Sequence, residues 1–354
     1  MKLLDKHIEN LYSDFLLFVE ATKYREEENF YTSNYNNIIE LSYNENPFGA
    51  SPKAMEALTY FKDYINLYPP VGYTLLRSTI ATGLEINESE IVIGNGSLGI
   101  INSAIRLFAE KGDNVVFSKS SIPMYKWAIM SNGSIPVIIP LQGDYNHNLQ
   151  GLLNAINDKT KVIIVDNPHN PTGLYIEPKT ILDFIKKIPE TIFVIIDQAY
   201  IEYADDYINE AIIKSFNQFP NLLITRTFSK VHALAGLRVG YGISNKKLIE
   251  KLWAENLGNV GGVSLLSSFV ANAAMKDSIH VHECISKNKT CIDELKEQFK
   301  RFYETVLNSS ANFICVKTES SKIFLNQIPS NIKVTSGVTF GYDELTRMSM
   351  KFVN

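Results

Sequence analysis

Long hydrophobic runs are missing from this 354-residue chain. The longest apolar stretches, at 162–165 and 192–196, fall far short of the roughly 20 residues that cross a bilayer, which excludes a helical membrane span at those places. Cysteine is scarce: Cys284, Cys291 and Cys315 are odd in number and in no ligand spacing. They exclude a disulfide framework and a cysteine metal site, and point to a reducing compartment. His169 has no second histidine at ligand distance in sequence, so no metal is expected. There is no excess of charge of one sign. Lys and Arg number 34 against 38 Asp and Glu, a formal charge of −4, which gives no footprint for nucleic acid or an anionic membrane. Repeats and low-complexity tracts are absent. The charged start, Met1 to His7, interrupts any signal-peptide core, and a cytoplasmic location is expected.

The composition is that of an ordinary globular protein, 45% apolar and 20% charged. The length suits a large domain with a smaller companion. Residues 1–40 are charged and tyrosine-rich, and the helical spacing of Leu11, Phe15, Phe18 and Val19 predicts an arm helix. From about residue 90, β-branched runs alternate with amphipathic stretches. The runs lie at 91–93, 114–117, 136–139, 161–166, 192–197, 222–225 and 237–243. Helical patterns lie between them at 98–110, 124–130, 149–156 and 178–188. The runs are nearly continuous in Val and Ile, as in strands buried on both faces. The alternation predicts an α/β fold whose sheet has seven mostly parallel strands. Helical pattern then dominates 246–257 and 265–303, followed by strand candidates at 313–316, 322–325 and 332–335, a smaller α+β domain. The expected division is an arm at 1–40, a large domain at 41–250 and a small C-terminal domain at 251–354, with the boundary near the glycines Gly258, Gly261 and Gly262.

In open α/β sheets, ligands bind beyond the carboxyl ends of the strands. Four of these runs end in polar residues of chemical interest. Gly94-Asn95-Gly96-Ser97-Leu98-Gly99 leads from a strand into a helix, a phosphate cradle built from a flexible turn and unsatisfied helix N–H groups. Asn167 to Gly173 forms a turn presenting Asn170. Asp197 ends a buried run, and Arg226-Thr227-Phe228-Ser229-Lys230 follows another, with Arg238 eight residues further on. A lone Lys after a strand is usually solvated, a lone strand-end Asp is usually a cap, and a lone His such as His169 usually packs or hydrogen-bonds. Taken jointly, in this order, they match what pyridoxal phosphate needs: a lysine for the Schiff base, an acid at the pyridine nitrogen, and a cradle with an arginine for the phosphate. Such a lysine needs a lowered pKa, obtained by burial or a nearby cation.

The same glycines satisfy the G-x-G-x-x-G fingerprint of dinucleotide binding, with Asp113 nineteen residues after Gly94. In that fingerprint the acid ends the second strand. Here Asp113 precedes Val115-Val116-Phe117, and Ser118, Lys119 and Ser120 end it, which disfavours an NAD-dependent oxidoreductase. A non-catalytic protein of the same fold is disfavoured by the retained Lys230 and Asp197, each a costly buried charge without a cofactor.

The segment from Thr227 to Tyr241, Thr-Phe-Ser-Lys-Val-His-Ala-Leu-Ala-Gly-Leu-Arg-Val-Gly-Tyr, resembles the Schiff-base segment of fold-type I pyridoxal-phosphate aminotransferases, the histidinol-phosphate aminotransferase group above all. Asn44-Glu45-Asn46-Pro47, Gly94-Asn95-Gly96-Ser97, Asn170-Pro171-Thr172-Gly173 and Asp197-Gln198-Ala199-Tyr200 are similar too, and the likeness extends over roughly 40–350. The resemblance implies the type I fold and a homodimer whose active site is shared between subunits. It implies that Lys230 binds the cofactor and shuttles the proton, that Asp197 pairs with the pyridine nitrogen, and that Asn170 and Tyr200 bond the phenolic oxygen. The phosphate falls to Gly96, Ser97, Ser229 and Arg238, with Thr227 assisting and Tyr68 reaching in from the neighbouring subunit. Arg347 stands where the family binds the substrate carboxylate. Three positions depart from the pattern. Ile122 replaces an aromatic over the ring, Gln198 replaces a glutamate, and 333–337 lacks a second arginine, which points away from histidinol phosphate itself. The reaction implied is transfer of an amino group from L-glutamate to a small keto compound, phosphorylated or not. A phospho-amino-acid decarboxylase is the alternative, using the same cofactor on a different substrate bond.

Overall fold

A computed structural model describes residues 38–350 except 120, 205, 257, 259–261 and 304; the expected arm helix and Gly261 lie outside the described residues. In chain order the elements are β1 (Ile39–Glu40), α1 (Pro52–Phe61), α2 (Thr74–Leu84), β2 (Ile91–Gly94), α3 (Gly96–Phe108), β3 (Asn114–Ser118), α4 (Pro123–Ser131), β4 (Ile135–Ile139), α5 (Leu149–Asn154), β5 (Thr160–Asp166), α6 (Pro178–Ile185) and β6 (Phe193–Asp197). They continue with α7 (Asp206–Ser215), β7 (Leu222–Thr227), β8 (Gly240–Ile243), α8 (Lys246–Glu255), α9 (Leu265–Met275), α10 (Ser278–Phe299), β9 (Phe313–Lys317), α11 (Ser321–Gln327), β10 (Ile332–Lys333), β11 (Thr335–Ser336) and β12 (Leu345–Ser349).

The expected seven strands form one sheet in the order β2-β8-β7-β6-β5-β3-β4. β8 runs antiparallel to both neighbours and the rest are parallel. Period-2 alternation divides each apolar run between two cores. Val162 and Ile164 of β5 face one, Ile163 and Val165 the other; Phe193 and Ile195 of β6 are likewise opposed to Val194 and Ile196. Each fully buried Val or Ile contributes about 1.5–3 kcal/mol, so a strand covered on both faces needs an unbroken apolar run. The polar residues that close these runs emerge together at one edge: Asp166, Asp197 and Thr227 end β5, β6 and β7, Gly94 ends β2, and β8 starts at the same edge.

A second, three-stranded sheet of order β11-β12-β9 carries the C-terminal residues. Here the structure corrects several sequence expectations. Residues 322–325 lie in a helix, α11, because Ser320 caps it through the Lys322 N–H and the helix buries Phe324. A three-residue apolar run does not distinguish strand from helix. The expected continuous helix at 265–303 breaks at Lys276 and Asp277 into α9 and α10. The strand at 332–335 splits into β10, paired parallel with β1, and β11, paired with β12. The run at 237–243 becomes strand only at Gly240, since Ala235–Leu237 turn as a 3-10 helix and Arg238 adopts a left-handed conformation (φ 55). Strand β12, absent from the sequence expectation, lacks a Val/Ile run and contains an arginine. Among the described residues no helix is long and apolar enough to cross a membrane.

Candidate active site

A cavity of about 590 Å³ opens at the strand-end edge, between the large sheet and the C-terminal sheet. Its wall contains Ser97, Ile122, Asn170, Asp197, Tyr200, Thr227, Ser229, Lys230, Arg238 and Arg347. All but two of the sequence-expected site residues are therefore brought together here. Gly96 precedes Ser97 in the chain and is not itself in the wall. Tyr68 is 98% exposed and is not part of this cavity.

The phosphate-cradle region is shaped by two glycines. Gly96 has φ +70, a region open to glycine at no steric cost. At Gly240 a Cβ would lie 2.5 Å from the backbone of Gly96 and Ser97, so glycine there lets β8 pass directly beneath the turn. Helix α3 starts at Gly96, which leaves its first N–H groups for an anion. Arg238 reaches this turn; its Nη1 donates to Ser229 Oγ at 3.3 Å, and Thr227 Oγ1 donates to Ser229 Oγ at 3.0 Å.

Asp197, 3% exposed, receives neutral donors: Tyr125 OH at 2.6 Å, Thr225 Oγ1 at 2.9 Å and the Ala199 N–H. Burial pushes its carboxyl up to about 6, against the lowering effect of these bonds. Lys230 Nζ donates to the carbonyls of Tyr43 (3.2 Å) and Asn44 (3.1 Å). Burial and then the Arg347 cation bring its ammonium down to about 7. Tyr200 OH accepts from Asn44 Nδ2 at 3.0 Å and Asn170 Nδ2 at 3.3 Å, and burial raises its phenol to about 12.

Arg347 is held in a cage. Its Nη1 donates to Asn170 Oδ1 at 2.6 Å and its Nη2 to Thr335 Oγ1 at 2.7 Å and to the Ser42 carbonyl. The rings of Phe313 and Phe340 flank it at 5.6 and 5.3 Å. Its Nε is buried and has no hydrogen-bond partner among the described residues. A planar fork so fixed at the cavity wall suits a carboxylate.

Tyr125, Thr225, Asn44, Ser42, Thr335 and Asp166 were not expected as site residues. Thr225 had a readable signal, since it stands beside Asp197 across adjacent strands. Asp166 had one too, since it ends the expected run at 161–166, and Tyr125 lies three residues after Ile122; Ser42, Asn44 and Thr335 come from distant segments. His169 has a neighbour the sequence did not reveal: it meets His147 and Asp166 with ligand atoms within 4.8 Å of one another. These groups engage protein partners. His147 contacts Ser118 Oγ and the Asp166 carbonyl, His169 contacts Thr172 Oγ1, and Asp166 accepts from Ser121 and the Asn170 N–H. The cluster anchors the turn that presents Asn170. Gln198 is outside the cavity wall and accepts from Arg226 Nε at 3.0 Å.

The donor set fits pyridoxal phosphate on its own terms. A lysine near neutrality, a buried carboxylate whose hydrogen-bond donors are neutral, and a glycine cradle beside an arginine surround one cavity. The sequence model of the family described as "Aminotransferase class I and II" matches residues 36–352. A histidinol-phosphate aminotransferase of Geobacillus sp. is 34% identical over 88% of this chain and 86% of its own. That of Anoxybacillus flavithermus is 33% identical over 88% and 84%. Among solved structures, histidinol-phosphate aminotransferase from Sinorhizobium meliloti in complex with pyridoxal-5'-phosphate superposes with a TM-score of 0.81 at 25% identity, covering 89% of this chain and 86% of that one. The enzyme from Clostridium acetobutylicum superposes at 0.79 with 24% identity, covering 89% and 94%.

Proposed function

Because the chain belongs to the class I and II aminotransferases and is a pyridoxal-phosphate-dependent transaminase, we propose that it moves an amino group from L-glutamate to a small phosphorylated keto compound at this cavity. The observation that carries the reading is the convergence of Lys230, Asp197 and Arg347 on one cavity wall. The phosphorylated acceptor is supported by the histidinol-phosphate aminotransferases among the relatives.

In this reading Lys230 would hold the cofactor through its amine. Asp197 would hold the proton on the pyridine nitrogen, Asn170 and Tyr200 would bond the phenolic oxygen, and Ile122 would cover the ring. The N–H groups of Gly96 and Ser97, with Thr227, Ser229 and Arg238, hold the phosphate. When bound, pyridoxal phosphate supplies an electron sink that stabilises negative charge at the substrate Cα. Arg347 fixes the substrate carboxylate, which brings the Cα–H to Lys230. The Lys230 amine, once displaced by the donor's amine and kept largely uncharged near neutral pH by burial and the Arg347 cation, would take that proton onto Nζ. The apolar walls formed by Leu98, Ile122, Met124 and Phe340 exclude water.

A homodimer completes this reading. Tyr60, Ile65, Leu67, Tyr68 and Val71 expose 51–98% of their surface on one stretch of chain. A second copy covering it would bury that apolar area and bring Tyr68 to the partner's phosphate site. A cytoplasmic location accords with three free cysteines.

The test is the absorbance of the purified protein supplied with pyridoxal phosphate, recorded before and after L-glutamate. A yellow band that glutamate bleaches, and that a phosphorylated keto acceptor restores faster than its unphosphorylated counterpart, is expected. Lys230→Ala should lose the band. A band untouched by glutamate overturns the donor, and equal restoration by both acceptors overturns the phosphorylated substrate.

A further inference from the structure

We infer that Asn44 is a positioning residue for the Tyr200 phenol, beyond letting the chain turn at the cavity wall. The inference deepens the function proposed above and rests on it. Asn44 is 1% exposed and left-handed (φ 54), a conformation that Asn tolerates better than most residues. All four of its polar groups are engaged. Its backbone N–H donates to Ser349 Oγ at 2.8 Å, and its carbonyl accepts from Lys230 Nζ at 3.1 Å. The Ser349 hydroxyl shares its proton between Asn44 Oδ1 and the Leu41 carbonyl, each at 2.9 Å. With Oδ1 held as an acceptor, Nδ2 must face the other way, and there it donates to Tyr200 OH at 3.0 Å.

Tyr200 thereby accepts two N–H bonds, from Asn44 and Asn170. Its own proton remains to be donated, and the phenol lines the cavity. Each accepted bond strengthens the phenol as a donor, because it favours charge on the oxygen. The clamp starts two residues from Arg347: Ser349 and Arg347 share one face of β12, since strand side chains alternate. Both grip the same turn, Arg347 at the Ser42 carbonyl and Ser349 at Asn44. The turn thus links the arginine, the lysine and the phenol.

Two substitutions separate this role from a backbone role. Asn44→Gly keeps the left-handed turn and removes the side chain; Asn44→Asp keeps the turn and replaces the N–H donor with an oxygen. Both are expected to lower kcat by about tenfold, the effect of one lost hydrogen bond of ordinary strength, with the KM for the amino donor little changed. A phenol that accepts one bond fewer is a weaker donor, so the oxygen it faces keeps its share of a proton to higher pH. The pH midpoint of the bound cofactor's absorbance change should therefore move up in both variants. Wild-type kcat and midpoint in Asn44→Gly would show that Asn44 serves the turn alone and overturn the inference. Should these variants fail to take up cofactor, Ser349→Ala decides: it frees the amide and leaves Asn44 in place. An upward midpoint then supports the inference and an unmoved one overturns it. Failure of the wild-type protein to transfer an amino group refutes the proposed function, whereas insensitive variants of an active enzyme refute this inference alone.

Discussion

The Tyr125 phenol donates to Asp197 Oδ2 at 2.6 Å, joining the helix after β3 to the end of β6 in a fully buried bond. Tyr125 is one of the groups that lower an otherwise raised carboxyl. Tyr125→Phe should therefore push Asp197 further above about 6 and favour its protonated form. A hydrogen bond to a charged group is worth about 1.5–3 kcal/mol. The cofactor Kd should rise by about tenfold or more, most steeply on the acid side. Fluorescence titration of the apoprotein with pyridoxal phosphate between pH 5 and 8 checks it; a uniform change across that range would contradict the role given to Tyr125.

Lys230 sits near pH 7 rather than in the ordinary lysine range, through burial and then the Arg347 cation. The neutral amine grows in as pH rises through about 7, so cofactor capture by the apoprotein should accelerate through that point and level off above it. Arg347→Gln removes the cation and should move the midpoint upward. Stopped-flow absorbance at a series of pH values measures both.

Arg347 presents a fixed fork flanked by two aromatic rings. Arg347→Ala should lower kcat/KM for a carboxylate-bearing donor by about a hundredfold, on the order of 3 kcal/mol. Arg347→Lys should restore little, since a point charge does not reproduce the planar fork. Steady-state kinetics with L-glutamate tests the pair.

Gly240 admits the Gly96–Ser97 backbone at a distance no Cβ tolerates. Gly240→Ala must displace that turn at a cost of about 1–3 kcal/mol. A lower denaturant midpoint and faster loss of cofactor on dialysis should appear together. Loss of stability with normal cofactor retention would place the cradle elsewhere.

Ile65, 74% exposed, stands three residues before Tyr68. Ile65→Lys should shift the protein toward monomer in sedimentation equilibrium. Tyr68→Phe should leave the association intact and weaken cofactor retention. A wild-type assembly in Ile65→Lys would exclude this surface as the interface.

The sequence by itself determined the large sheet, because strands buried on both faces must be unbroken apolar runs, and such runs are readable without coordinates. It also singled out Asp197, Asn170, Ser229 and Lys230 as candidates, and the four line one cavity, because a parallel sheet delivers the residues after its strands to one edge whatever the details of packing. Tertiary structure alone decided the partners that tune them. Tyr125 reaches Asp197 across 72 residues, Asn44 reaches Tyr200 across 156, and Arg347 reaches Asn170 across 177. No local periodicity encodes such pairings. The C-terminal sheet was illegible for a related reason: β12 combines a caged arginine with only two apolar residues, Leu345 and Met348, and β10 and β11 are two-residue strands whose register comes from their neighbours. Where burial along one segment sets the structure, sequence suffices; where hydrogen bonds between remote segments set it, the fold has to form first.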